Sequence, residues 1–369
     1  MANPRFAIYD QPAADLAALG FDMVVIPLDP KLARVAKAAG LNVWVCTVTF
    51  PIPRGAGDVL AHDVYGVPRM WFRSGSPGLR ATRERHLETI REALAVPEVD
   101  GFYLDGIRFA APSSGVEAFL TRFRDETGDE ARRLGYDFDR MREHTRLFGH
   151  EILGTLSGWE RLAAADSSNE VWDQYPGAAD WLAFRADFIT EFVAENAGIA
   201  SEAGKELGAY LYSPAFSRLV GQDYTRLREH LSVISPMIYR FDGWESVLAT
   251  EICSLIGRVP VAGDAEEARL VRAVLEFCGL ASESDAESRR QLARGFAPGA
   301  VAHQTRRAAG LLDDSTRLVP IVKIEDDALV ETVAGVEAAG AAGVSFFTSG
   351  GDDRDRAPEA ATTSQTAFS

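Results

Sequence analysis

The chain has 369 residues, 47% hydrophobic and 25% charged, which supplies apolar material for one large core or two medium ones. Its 54 acidic against 38 basic side chains leave a formal net charge of -16, which disfavours nucleic acid and other polyanions and favours neutral or cationic partners. Three cysteines, Cys46, Cys253 and Cys278, stand at no metal-ligand spacing and suit a reduced compartment as core thiols.

No basic stretch followed by an apolar one opens the chain, and no apolar run is long enough to span a bilayer. A cytoplasmic protein with no membrane contact is expected. The first β-rich run covers residues 6–9, and the second, 23–28, is closed by Asp29-Pro30. A helical pattern over 32–39 stops at Gly40, and a third strand over 43–50 ends at Pro51 and Pro53. Residues 51–80, rich in Gly, Pro, Arg and aromatics, read as a long loop. An amphipathic helix over 83–94 then leads to a fourth strand, 101–107.

Roughly a hundred residues follow with helical patterns near 115–134, 138–165 and 179–204. Strands over 208–212 and 233–239 come next, then helices near 245–256, 265–279 and 286–311. A seventh strand over 319–325, a helix over 328–339 and an eighth strand over 344–348 complete the alternation. Eight strands separated by helices predict a (β/α)8 TIM barrel over 1–351, with long insertions after strands 4 and 6. A doubly wound sheet would want a Gly-rich turn after its first strand, where Tyr9-Asp10-Gln11-Pro12 stands instead. Residues 352–369, polar and poor in large apolar side chains, read as a disordered tail.

Barrel chemistry sits at the C-terminal ends of the strands, so the polar residues closing each strand are the candidates. They are Asp10, Asp29, Thr49, Asp105, Arg108, Tyr212, Tyr239, Lys323, Glu325 and Ser349. Asp105 and Glu325 each end an apolar run. Period-2 alternation puts Tyr103 on the face of Asp105 and Lys323 on that of Glu325, and turns Phe102, Leu104, Val322 and Ile324 outward.

Two carboxylates across a barrel mouth are what glycosidic cleavage needs, one as acid and one as base or nucleophile. The competing reading is an ion pair, Asp105 with Arg108 or Lys323 with Glu325, that merely closes the barrel. Asp242, just past the sixth strand, is a further catalytic candidate, although an Asp before Gly also suits a solvated turn. Gln222-Asp223-Tyr224 has similar standing, and Asp29-Pro30 is read first as a helix N-cap.

Sugar faces stack on aromatic rings. Trp71, Trp172 and Trp244 fall in expected loops, with Tyr212 and Tyr239 at strand ends and Trp44 inside a strand as core. Asp10, Trp71, Arg108, Tyr212, Tyr239, Trp244 and Lys323 are therefore the expected substrate-binding set. None of the six histidines closes a strand, so no metal is expected, and no Gly-x-Ser-x-Gly elbow points to a serine hydrolase. No other cofactor is implied.

Ser76-Pro77, Arg83 and the helix to Leu94, then Val99 to Phe109, resemble the fourth-strand region of a glycoside hydrolase TIM-barrel family with many unassigned substrates. Trp181 to Arg185, Gly221 to Tyr224, Ile234 to Tyr239 and Ala338 to Val344 are similar to its downstream phrases. The strand-four phrase is also similar to that of the α-amylase superfamily, which implies a nucleophile at Asp105. It differs in carrying Tyr103 where those enzymes have Arg, and Tyr212-Ser213-Pro214 where they end strand five with Glu.

The leading expectation is a glycoside hydrolase with Asp105 as nucleophile or base, Glu325 as general acid, and a carbohydrate substrate. Direct contact of Lys323 with Glu325 would move the acid role to Asp242. The alternatives are a lyase or aldolase that uses Lys323 as a Schiff-base amine with a phosphate cradle at residues 349–351, or a barrel that binds carbohydrate without cleaving it.

Overall fold

A computed structural model describes residues 5–6, 13–52, 58–71, 74–241, 247–347 and 357–367. Apolar, β-branched and aromatic runs become strands β1 (Arg5–Phe6), β2 (Met23–Ile26) and β3 (Asn42–Val48), then β4 (Ala61–His62) and β5 (Pro68–Arg69). β6 (Gly101–Asp105), β7 (Glu206–Tyr212) and β8 (Val233–Met237) follow. The last are β9 (Arg317–Leu318), β10 (Ile321–Lys323) and β11 (Ser345–Phe347).

One parallel sheet runs β10-β11-β1-β2-β3-β6-β7-β8-β9, with helices between its strands, so the chain is an α/β protein. β8 pairs with β9 at Val233↔Arg317 and with β10 at Ile321↔Met237. Pro320 explains why residues 317–323 form two short strands and not one: it has no N–H to donate to the ladder.

Alternation divides the side chains into two layers. Phe102, Leu104, Val322 and Ile324 join the large core between sheet and helices. Met23, Val25, Trp44, Tyr103, Val233 and Val319 form a separate inner cluster on the other face, with Cys46 and Tyr210 packed on it. The Tyr103 ring stacks on Tyr210 at 4.5 Å and lies 4.9 Å from Trp44. Gly101 makes room for this: a Cβ there would come within 2.7 Å of the Trp44 ring.

Two expectations change. Inside the expected loop of residues 51–80, β4 and β5 pair as an antiparallel hairpin. Buried Asp63 organises it by accepting hydrogen bonds from the N–H groups of Tyr65 and Val67, both at 2.9 Å, and from Arg69 Nε at 2.8 Å. The expected disordered tail instead contains a helix, Ala357–Ala367, packed against the helix Leu329–Ala338. It buries Ala360, Ala361 and Ser364, and Gln365 Nε2 donates to Leu19 O at 2.9 Å. Small side chains let helices approach closely, so a scarcity of large ones did not prevent docking.

The segment between β6 and β7 is helical, ending in the 27-residue helix Pro176–Glu202. Its Arg185 is fully buried, donating to the carbonyls of Ala110 and Phe119 at 3.3 Å each and lying against Phe109, Phe119 and Trp181. Asn196 of the same helix meets buried His86, Oδ1 to Nε2, at 3.0 Å. Burial lowers His86 to about 4, partly opposed by that bond.

The unfolded chain, with His near 6.5, therefore takes up the proton first between pH 6.5 and 4. Stability from this group is complete above pH 6.5 and falls as the pH drops, by about 3 kcal/mol at pH 4. Denaturant unfolding at pH 7 and pH 4.5 checks this. The loss should shrink in His86→Gln, which cannot titrate; an equal loss in both proteins would contradict the assignment.

Candidate functional site

Asp105 is the last residue of β6, and its neighbours fix its backbone. Thr49, the residue after β3, donates its N–H to Asp105 O at 2.8 Å and its hydroxyl to the same oxygen. The carboxylate accepts the N–H of Gly106 and forms no ion pair among the described residues. The Asp105–Arg108 ion pair of the competing reading is thus not formed. Burial raises the Asp105 carboxyl above its ordinary range, and Arg108 and the Gly106 N–H offset this only in part.

Arg108 is buried, with its guanidinium 5.0 Å from the centre of the Tyr212 ring at the end of β7. Around Asp105 lie Cys46 and Tyr210, both pushed upward chiefly by burial and additionally by the charge of Asp105.

Tyr239, two residues past β8, joins the two halves of the site. Burial raises its hydroxyl most, and the charges of Asp105 and Glu325 both raise it further. Glu325 lies two residues beyond β10. Lys323, 3% exposed, holds Nζ 5.9 Å from the ring centre of Tyr239 and 5.8 Å from that of Phe241. Phe347, closing β11, is 39% exposed and lies 5.8 Å from Tyr239.

A buried ion pair ties the two loops that carry Tyr239 and Glu325. Arg240 Nε donates to Asp326 at 2.9 Å and 3.1 Å, Nη2 pairs with Asp326 and Asp327, and Nη1 donates to Phe296 O. Asp326 also accepts the Ala328 N–H and the Thr332 hydroxyl. Burial works to raise Asp326, but Arg240 and these two donors hold it below the usual carboxylate range.

Asp105, Arg108, Tyr212, Tyr239, Lys323 and Glu325 therefore gather at one end of the sheet. Asp10, Asp242, Trp244 and residues 349–351 lie outside the described residues. Trp71, 4% exposed, packs with Ala61, Ala110 and Ala118, so most of its ring surface is taken up by the protein. Trp172 lies in the helix Ala165–Gln174 against Phe148, not in a loop.

Asp29 caps the helix Pro30–Ala38 through the N–H groups of Lys31 and Leu32. Asp223 likewise caps a short helix at Thr225. Among the described residues no group of three or more His, Cys, Asp and Glu could hold a metal, and no helix is long and apolar enough to cross a membrane. Sequence reasoning missed Phe347 and Arg240–Asp326. Parity along β11 could have turned Phe347 inward with Ser345, but nothing local pairs Arg240 with a residue 86 positions away.

No family model matches the chain, and no curated protein sequence does. Solved structures do. The glycoside hydrolase domain of PgaB (BpsB) from Bordetella bronchiseptica aligns over 100% of this chain and 99% of its own, with a TM-score of 0.57 and 14% identity. The catalytic domain of β-amylase from Paenibacillus polymyxa aligns over 98% of each chain, with a TM-score of 0.53 and 12% identity. At these identities the likeness is one of fold: an α/β chain with a TIM-barrel-like parallel sheet. E. coli 3-keto-D-glucoside 4-epimerase is a more distant match, with a TM-score of 0.42 and 10% identity.

Proposed function

We propose that the chain is a glycoside hydrolase whose sheet closes into a (β/α)8 barrel and whose carboxylate pair is Asp105 and Glu325. Closure is supported by the β8–β10 pairing, which joins one end of the strand order to the strand next to the other end. The observation that carries the functional reading is that two carboxylates from different strand ends, Asp105 closing β6 and Glu325 after β10, both lie near enough to Tyr239 for their charges to act on its hydroxyl. The fold likeness to two glycoside hydrolase domains adds support.

The roles follow from surroundings. Because burial favours the protonated form of Asp105, we assign it the acid/base part and Glu325 the part of nucleophile or base, the reverse of the sequence expectation. Asp105 protonates the leaving oxygen, while Glu325 attacks the anomeric carbon or activates water. Tyr239, raised by burial and by both charges, keeps its proton as a hydrogen-bond donor for substrate, and Arg108 limits how far Asp105 rises. A panel of aryl glycosides and oligosaccharides, tested with the wild type, Asp105→Asn and Glu325→Gln, checks the reading. Hydrolysis by the wild type that either substitution leaves intact would overturn the pair.

Lys323 favours a second reading, since its amine lies buried among aromatic rings at the same sheet end. As a Schiff-base lysine in a lyase it would be trapped irreversibly by borohydride with a carbonyl substrate. A glycosidase gives no such adduct.

A further inference from the structure

Gln222 is fully buried between the two elements that frame Asp105. Its Oε1 accepts the N–H of Tyr212, at the end of β7, at 2.8 Å, and its Nε2 donates to Ile107 O, two residues past Asp105, at 3.2 Å. The rest of the bracket points the same way. Tyr224 donates its hydroxyl to Tyr212 O at 2.7 Å, and Phe109 donates its N–H to Val220 O at 3.0 Å. Gly221, at φ +83, makes the turn that brings Gln222 inward, and a Cβ there would press on Arg185 O at 3.1 Å.

Tyr212 and Ile107 are thus held on one carboxamide, and Arg108, the next residue after Ile107, lies over the Tyr212 ring. We propose that Gln222 is a positioning residue: by bridging Ile107 and Tyr212 it fixes the loop carrying Arg108 against Tyr212, and so sets the distance from which Arg108 acts on Asp105. Its catalytic meaning rests on the glycosidase reading, but the positioning itself does not.

Among the described residues, the titratable groups linked to Asp105 by charge are Cys46 from β3, Tyr210 from β7, Tyr239 after β8 and Arg108 from its own loop. Of these, Arg108 supplies the cation that Gln222 holds in place. Carboxyl-carbon NMR titration of the full chain, with the Asp105 signal assigned by its loss in Asp105→Asn, reads the effect directly. Gln222→Met keeps the side chain's length and removes both hydrogen bonds.

The Asp105 midpoint should rise in Gln222→Met by about half a unit to one unit, as expected when a nearby opposite charge recedes. In an Arg108→Met background the same substitution should add nothing. No shift in the wild-type background, or equal shifts in both backgrounds, would overturn the proposal. If Gln222→Met does not fold, Tyr224→Phe removes one bond of the same bracket and should give a smaller upward shift that also vanishes in Arg108→Met. No such shift there overturns the proposal equally. A shift in a protein that cleaves no glycoside leaves the positioning role standing and removes the glycosidase reading.

Discussion

Asp105→Asn should lower glycoside turnover by about three to five orders of magnitude and leave the melting temperature unchanged or slightly higher. The first half follows from removing the group proposed to give its proton to the leaving oxygen. The second follows from the sign of its shift. A carboxyl raised above its unfolded value contributes stability that is complete below the unfolded value and is lost as pH rises through the folded one, so ionising the group in place works against the fold. Asparagine removes that charge without changing the shape. Calorimetry beside kinetic assay separates the outcomes: a large fall in melting temperature with the loss of activity would make Asp105 a structural residue.

Arg240→Met is expected to cost about 3–5 kcal/mol, because it strands the Asp326 carboxylate in the interior. Adding Asp326→Asn should restore most of the loss, since the stranded charge is gone, the amide oxygen can still accept the Ala328 N–H and the amide nitrogen can donate to the Thr332 hydroxyl. Denaturant unfolding of the two single variants and the double variant gives the coupling. Additive losses would mean that the pair is not a unit. Asp326 is held below the usual carboxylate range, so its contribution is complete above the unfolded value and disappears as pH falls through the folded one. The wild type should therefore lose the advantage over Arg240→Met in strong acid.

Parity explains what was legible in the sequence. Phe102, Leu104, Val322 and Ile324 read as outward and are so, because a strand with one face on helices must alternate. Asp105 and Tyr103 share the inner face for the same reason, and Asp29 reads as a cap because Asp-Pro at a helix start has that chemistry.

Illegible features depended on distant partners. The β4–β5 hairpin has strands of two residues and is held by the Asp63 side chain, so it carries no periodic signal. Trp71 read as a ring open to sugar because it falls in an expected loop, yet its covering residues Ala110 and Ala118 come from the segment after β6. The proposed acid part of Asp105 turns on burial, which no local pattern records. The expected likeness to the α-amylase superfamily rests on one strand phrase, and no sequence comparison extends it.

The register Arg5↔Ser345 and the bond from Gln365 to Leu19 join the earliest described residues to the last. During synthesis β1 can find only β2 until more than three hundred further residues have been made. Its other edge stays open for all that time, at elongation rates of about 5–20 residues per second for roughly 15 seconds or longer. Completion of the sheet thus waits for β11 and carries a loop-closure cost, and the open β1 edge is where a nascent chain of this fold is exposed to wrong partners.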